Sequence, residues 1–565
     1  MKRFLSMLSV VAVVAGACAS STATLPAHPQ GLKTGGTLTV GMVGDLTYAD
    51  PALANDVSST YIANEVVQGL VGLEPGTNSV VVPVLAAALP TVSDNGLSYT
   101  FKLRTGIKFQ DGTDLDAAAV KFNYDRWNAF PKGDLQNAAQ DFQAVFGGFG
   151  AAGNLASVDA PDPQTVVINL RKPESNFLIS QANVAFGILS PTSIQANDGN
   201  NPSLAKNPYA QGTGGEGKAM VGTGPFTFSE RVQGDHVTLV RNSSYWDKAS
   251  TPYLDQIVFK PFADATSATA ALQSGDVDMV DVVDPADLKS MSGSRTVTVL
   301  DRGNSCDVTQ LAMNDGDTVN GATNLLSDDN VRLAIASAVN KQSYVTEIYA
   351  GAATVADNWL PDGALYYKPE FLPGYDLNRA KGYMTAAGLG GAKPSLDLWY
   401  PTGVASPSLV DAKGLATAVA ADLAGIGITA NLKPEAAAAL SADAAAGKLP
   451  MWISSQACVW DSADYFLNTA FFHYTPGAAG AAGTPNIEFA YANDALEATM
   501  AAGLSATDPA TVEAAWQKAQ DLVAADMPTV PLLNAKLPAA ARSYVRGFVG
   551  SGNMVEILNS VWLDK

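Results

Sequence analysis

The chain has 565 residues, more than one hydrophobic core serves, so two or three domains are expected. Hydrophobic residues make up 47% and charged ones only 16%, which excludes a disordered or coiled-coil chain. The 34 Lys and Arg stand against 54 Asp and Glu, a formal charge of -20 that argues against nucleic acid as a partner, because such binding is driven by counterion release to basic side chains.

At the N-terminus, Lys2 and Arg3 precede the apolar run "FLSMLSVVAVVAGA". Its 14 residues are too few to span a bilayer and match the core of a signal peptide, so residues 1–17 are read as a signal peptide. The run ends in Ala15-Gly16-Ala17 directly before Cys18, the position a lipoprotein peptidase requires. Cys18 is therefore expected to carry lipid, and two or more acyl chains there would anchor the protein to the outer face of the membrane. Ala15 replaces the usual Leu of the lipoprotein box, so plain secretion of a periplasmic protein stays the alternative. The lipidated Cys and a Ser-, Thr-, Ala-, Pro- and Gly-rich tether span 18–36. No later apolar run reaches membrane-spanning length.

Order begins at "GGTLTVGMV", where Leu38 and Val40 alternate with Thr37 and Thr39 as in a strand. "LSYTFKLRTGIKFQDGT" reads as a hairpin-like unit turning at Thr105-Gly106 and Asp111-Gly112, and "DLDAAAVKFNYDRW" follows as a helix. "HVTLVRN" and "QIVFKPF" are strands; "SATAALQSG" is a helix closed by Gly275, with a strand after it. "SDDNVRLAIASAVNKQSYVTEIYAG" predicts one long helix, capped by Ser327 or Asp328, with Val331, Ile335, Ala338 and Val339 on one face and Gly351 at its end. "SLDLWYP", a helix near 408–424 and "GITANLK" make a β-α-β unit. Strands and helices alternate throughout, so the class is α/β or mixed α+β.

Catalytic constellations are weak. His28, His236 and His473 are isolated, and neither His-Glu-x-x-His, Cys-x-x-Cys nor Gly-x-Ser-x-Gly occurs, so no metal and no catalytic residues are expected. "GTGGEGKA" at 212–219 nearly spells a phosphate-cradling loop and contains Gly212, Gly214 and Gly217 in Gly-x-Gly-x-x-Gly spacing. Such a loop needs a strand before it and a helix after it. Here Pro202 and Pro208 precede it, Gly222, Gly224 and Pro225 follow it, and Ala219 stands where Ser or Thr would hold magnesium. A glycine-rich surface loop is the reading, and no nucleotide or other cofactor is expected. Cys306 and Cys458 remain after Cys18; in an exported protein a bridge between them is expected, with two buried thiols as the alternative.

"VGTGPFTFSERVQGDHVTLVRNSSYWDKASTPYLDQIVFKPFADATSATAALQSGDVDMVD" resembles the bacterial extracellular solute-binding proteins of family 5, the oligopeptide, dipeptide and nickel class of ABC-importer receptors. "LSYTFKLRTGIKFQDGTDLDAAAVKFNYDRW", "DDNVRLAIASAVNKQSYVTEIYAGAATVADNWLPDG", "YDLNRAKGYMTAAG" and "MPTVPLLN" fit as well, in order over nearly the whole mature chain. The resemblance implies the large type of two-lobe periplasmic-binding-protein fold, with ligand enclosed at a hinge. It implies a first lobe of 35–72, 210–295 and 528–565, an insert subdomain at 73–209, and a second lobe at 296–527.

It also implies a monomeric receptor that takes up peptides without transforming them and hands them to permease subunits served by a separate ATPase. The alternatives are the same fold holding a nickel chelate, glutathione, an opine or an oligosaccharide, or an exported enzyme or signalling lipoprotein that keeps the fold. In peptide-binding relatives a second-lobe carboxylate pairs with the ligand's α-amino group. The matching stretch is "CVWDSADYFLN", which offers Trp460, Asp461, Asp464 and Tyr465, with Ser462 where Pro often stands. Helix N-capping is the other role for either Asp. Trp359, Asn314 and Tyr48 fall at cleft-bordering positions of the matching blocks, with core packing as the other role for each.

Overall fold

The computed structural model describes residues 32–213, 218–291, 293–369, 372–403, 408–472, 488–554 and 556–565. The signal peptide, Cys18, His28, Gly214, Gly217 and His473 lie outside the described residues. Among the described residues no helix is long and apolar enough to cross a membrane.

Two large sheets carry the chain. The first has seven strands, in the spatial order Val297–Leu300, Ala539–Arg542, Met279–Val280, Thr37–Val43, Gln256–Phe262, His236–Arg241 and Phe226–Val232. Thr37–Val43 forms because Leu38, Val40 and Met42 alternate onto a buried face, and it runs parallel to Gln256–Phe262 with Val40 opposite Phe259. The second has six strands, in the order Ala353–Val355, Val530–Lys536, Asn304–Met313, Met451–Gln456, Ser395–Thr402 and Thr429–Ala436. Its last two strands are parallel and joined through the helix Ala412–Ala424, the expected β-α-β unit. A four-stranded antiparallel sheet between Thr91 and Leu170 belongs to the segment read as an insert. Each large sheet and the small one has its own apolar core, around Val40 and Phe228, around Trp452 and Trp516, and around Phe101 and Trp127.

The chain crosses between the large sheets at 301–303 and again at 537–538. The boundaries expected from sequence lie earlier, at 295/296 and 527/528. Val297–Leu300 pairs with Ala539–Arg542 in the first sheet, and Val530–Lys536 pairs with Asn304–Met313 in the second. Arg302 stands in the first crossing, buried; its Nε donates to Glu556 Oε1 at 2.5 Å and its Nη1 to the Leu537 carbonyl at 3.0 Å in the second crossing.

Two local expectations change. The long helix is two helices, Asp329–Ala338 and Lys341–Glu347, because Val339 is extended and Asn340 restarts the turn by capping Ser343. Ser98–Lys102 pairs with Thr165–Leu170 and Thr91–Val92 rather than folding back across Thr105-Gly106; only the Asp111-Gly112 turn closes locally, with Phe109 N donating to the Thr113 carbonyl at 2.9 Å. "VGTGPF" leads into the strand Phe226–Val232, not a helix. Its glycines serve close packing: a Cβ on Gly222 would come 2.3 Å from the Val66 carbonyl oxygen at the end of the helix Val57–Val66.

Candidate functional site

The segment 457–464 leaves the strand Met451–Gln456 and enters the π-helical turn Tyr465–Phe472. It is held at both ends. Cys458 is disulfide-bonded to Cys306 on the neighbouring strand, with the two Cα atoms 5.7 Å apart. Leu365 N donates to the Asp461 carbonyl at 2.9 Å, and Ala463 N donates to the Leu365 carbonyl at 3.1 Å. From the insert, Asn183 Nδ2 donates to the Val459 carbonyl at 3.0 Å, so the two halves of the molecule meet at this segment.

A cavity of about 850 Å³ opens beside it, within the range of small-ligand pockets. Its walls come from the start of the helix Val57–Val66, the insert helix Gln140–Phe146, the crossing near Leu537 and the segment 457–465. Asp461 lies on this wall with 1% of its surface exposed, and neither of its carboxylate oxygens has a hydrogen-bond partner among the described residues. Burial pushes its carboxyl well above the ordinary range, and the nearby Asp362 and Asp307 push the same way. The Asn78 side-chain amide, which also donates to the Asn304 carbonyl at 3.2 Å, pulls the other way.

Asp464 is placed differently. It accepts from Trp460 Nε1 at 2.9 Å and from the Ser462 hydroxyl, does not line the cavity, and burial raises it to about 7. Trp460 and Tyr465 both reach the cavity and meet edge to face, centroids 5.0 Å apart. Trp359 lies in the second core, where its Nε1 donates to Thr529 Oγ1 at 2.7 Å. Asn314 is buried, donating to the Glu488 carbonyl at 3.1 Å and accepting from Gly316 N at 3.0 Å. Tyr48 packs against the insert's core. None of these three lines the cavity, because each side chain is engaged in its own layer.

The structure adds three carboxylates that no motif announces. Asp56 caps its helix, accepting from Ser59 N at 2.8 Å through one oxygen and leaving the other without a partner among the described residues. Asp141, half-buried, is raised to about 6 by burial. Asp307 accepts from the Ser408 hydroxyl. Only the capping pattern of Asp56 was readable locally. Among the described residues no three His, Cys, Asp or Glu groups are arranged to hold a metal ion, and His236 meets Asp235 and Glu230 on its own hairpin.

Residues 80–477 match the profile of "Bacterial extracellular solute-binding proteins, family 5 Middle". The chain belongs to family 5 of these solute-binding proteins. Family 5 proteins are the extracytoplasmic binding components of ABC importers, and this chain is similar to several. It is 29% identical over 532 residues to the glutathione-binding protein GsiB of Escherichia coli (strain K12), covering 90% of this chain and 91% of that one. The GsiB of Salmonella paratyphi A is 28% identical over 530 residues, with the same coverage. Among solved structures, the periplasmic binding protein DppA of Helicobacter pylori in complex with the peptide STSA superposes with a TM-score of 0.71 at 25% identity, over 94% of this chain and 99% of that one. HbpA2 of Haemophilus parasuis gives a TM-score of 0.77 at 23% identity, over 94% and 100%, a likeness of fold. The expected mixed α/β, two-lobe binding-protein fold is therefore the fold of this family 5 protein.

Proposed function

We propose that this family 5 protein captures a peptide-like solute in the cavity by seating the ligand's ammonium group on Asp461, and passes it to permease subunits of an ABC importer. The carrying observation is Asp461 itself, a buried carboxylate on the cavity wall with no hydrogen-bond partner on either oxygen among the described residues. A desolvated anion left unpaired is costly, and an ammonium group supplies both the charge and the three donors that would satisfy it. The peptide held by the DppA relative and the glutathione named for GsiB each carry such an amine, which supports the reading. Trp460 and Tyr465 supply ring faces beside the anchor. Lipid on Cys18 would keep the receptor at the membrane, and the lobe limits follow the two crossings, at 301–303 and 537–538.

The test is calorimetry of the mature protein with the ligand found by mass spectrometry to co-purify. Asp461→Asn is expected to weaken binding by about 30-fold or more, since a buried charge pair lost on one side costs about 2 kcal/mol or more. Asp464→Asn is expected to change affinity far less. Unchanged affinity in Asp461→Asn would rule out the anchor.

A further inference from the structure

The cavity has a one-sided charge. Asp56, Asp141, Asp307 and Asp461 line it, and among the described residues no Lys, Arg or His does. The internal segments outside the described residues, at 214–217, 292, 370–371, 404–407, 473–487 and 555, contain no Lys or Arg and only one His, His473. The chain has 34 Lys and Arg to draw on, so the cavity is bare of fixed cations while the rest of the molecule is not. Among the described residues no cation pairs with Asp461, and one oxygen of Asp56 has no hydrogen-bond partner.

We propose that the cargo of this cavity is a small primary amine whose remaining polar groups are neutral or cationic, and that free carboxylates are selected against. This rests on the reading of the cavity as the cargo site. A ligand carboxylate there would be taken from water into a space that already holds four carboxylates and offers no guanidinium or ammonium in return. Like charges brought together in a partly desolvated site oppose binding strongly. The lining is also amide-rich, with Asn55, Gln136, Asn137, Gln140 and Gln143 beside Asp56 and Asp141. Each amide offers donors and an acceptor, the pairing that hydroxyl and amide groups need and that a carboxylate uses only in part. Trp460 adds an aromatic face that attracts a cation. C-terminally amidated peptides, polyamines and amino sugars share this chemistry.

Calorimetry at pH 7.5 on the mature protein, freed of co-purified ligand, compares alanyl-alanine with alanyl-alanine amide, and glucosamine and glutathione with both. The amide is expected to bind about tenfold tighter than the acid, or more, and glutathione, with two carboxylates, more weakly than the amide. Equal or tighter binding of the free acid overturns the proposal, as does binding by none of the amines. Asp461→Asn separates this from the reading beneath it. If the variant weakens acid and amide alike while the wild-type ratio is near one, the anchor stands and the exclusion of carboxylates fails. If the variant leaves amine affinity unchanged, the anchor itself fails, whatever the ratio.

Discussion

Asp461 and Asp464 are the same side chain, both buried, on one short segment, yet only Asp461 lines the cavity and Asp464 is tied off by Trp460 and Ser462. The sequence located the stretch but could not separate the two, because what distinguishes them is the surroundings each meets once the segment is pinned by Cys306 and Leu365. Both carboxyls are raised by burial, as are Glu174, to about 8, and Asp281, to about 6. The folded protein thus holds protons that the unfolded chain releases above about pH 4. Stability contributed by these groups is present at low pH and is lost as pH rises through their folded values. The ligand-free protein is expected to melt at a higher temperature at pH 5 than at pH 8. Asp461→Asn, which removes the buried charge, is expected to raise the melting temperature at pH 8 while leaving it nearly unchanged at pH 5. Scanning calorimetry across this range checks both, and a melting temperature that climbs steadily from pH 5 to pH 8 would contradict the assignment.

At the scale of elements, the periodicities were legible wherever a segment makes its own structure. Thr37–Val43, His236–Arg241, Gln256–Phe262 and the β-α-β unit all follow from local alternation and spacing. The break at Val339-Asn340 was not legible, because Asn340 N is held by Asp422 Oδ2 at 2.7 Å, a residue of a distant helix. The Cys306–Cys458 bridge joins the strand Asn304–Met313 to the segment 457–464 across a separation of 152 residues. On the chain-entropy account, closing a loop of that length stabilises by up to about 5 kcal/mol, and removing such bridges typically costs about 2–5 kcal/mol. Reduction, or a Cys306→Ala/Cys458→Ala variant, is expected to lower stability by about that amount in urea unfolding. It should also weaken ligand binding, because Cys458 fixes the backbone that carries Asp461. Reductant without effect on either would remove the bridge from this account.

For the whole molecule, the chain passes between the two large sheets only at 301–303 and 537–538 among the described residues. Arg302 holds both: its guanidinium reaches the Leu537 carbonyl and pairs with Glu556, all of it buried. Removing one partner of such a pair leaves an uncompensated buried charge, worth about 3–5 kcal/mol. Arg302→Met is expected to lose that much stability in urea, and Arg302→Met with Glu556→Gln to recover part of it. A double variant no better than the single one would show that the ion pair is not the source of the loss.

By itself the sequence determined the alternation of strands and helices and the ordered blocks of a family 5 receptor. Each of these is written in neighbouring residues, through periodicity, turn chemistry or motif context. The tertiary structure alone decided where the crossings fall, which of two carboxylates lines the cavity, and that Asp56, Asp141 and Asp307 join Asp461 there with no Lys, Arg or His among the described lining residues. A cavity's charge balance is a sum over side chains brought together from distant segments, and no local pattern in the chain encodes that sum.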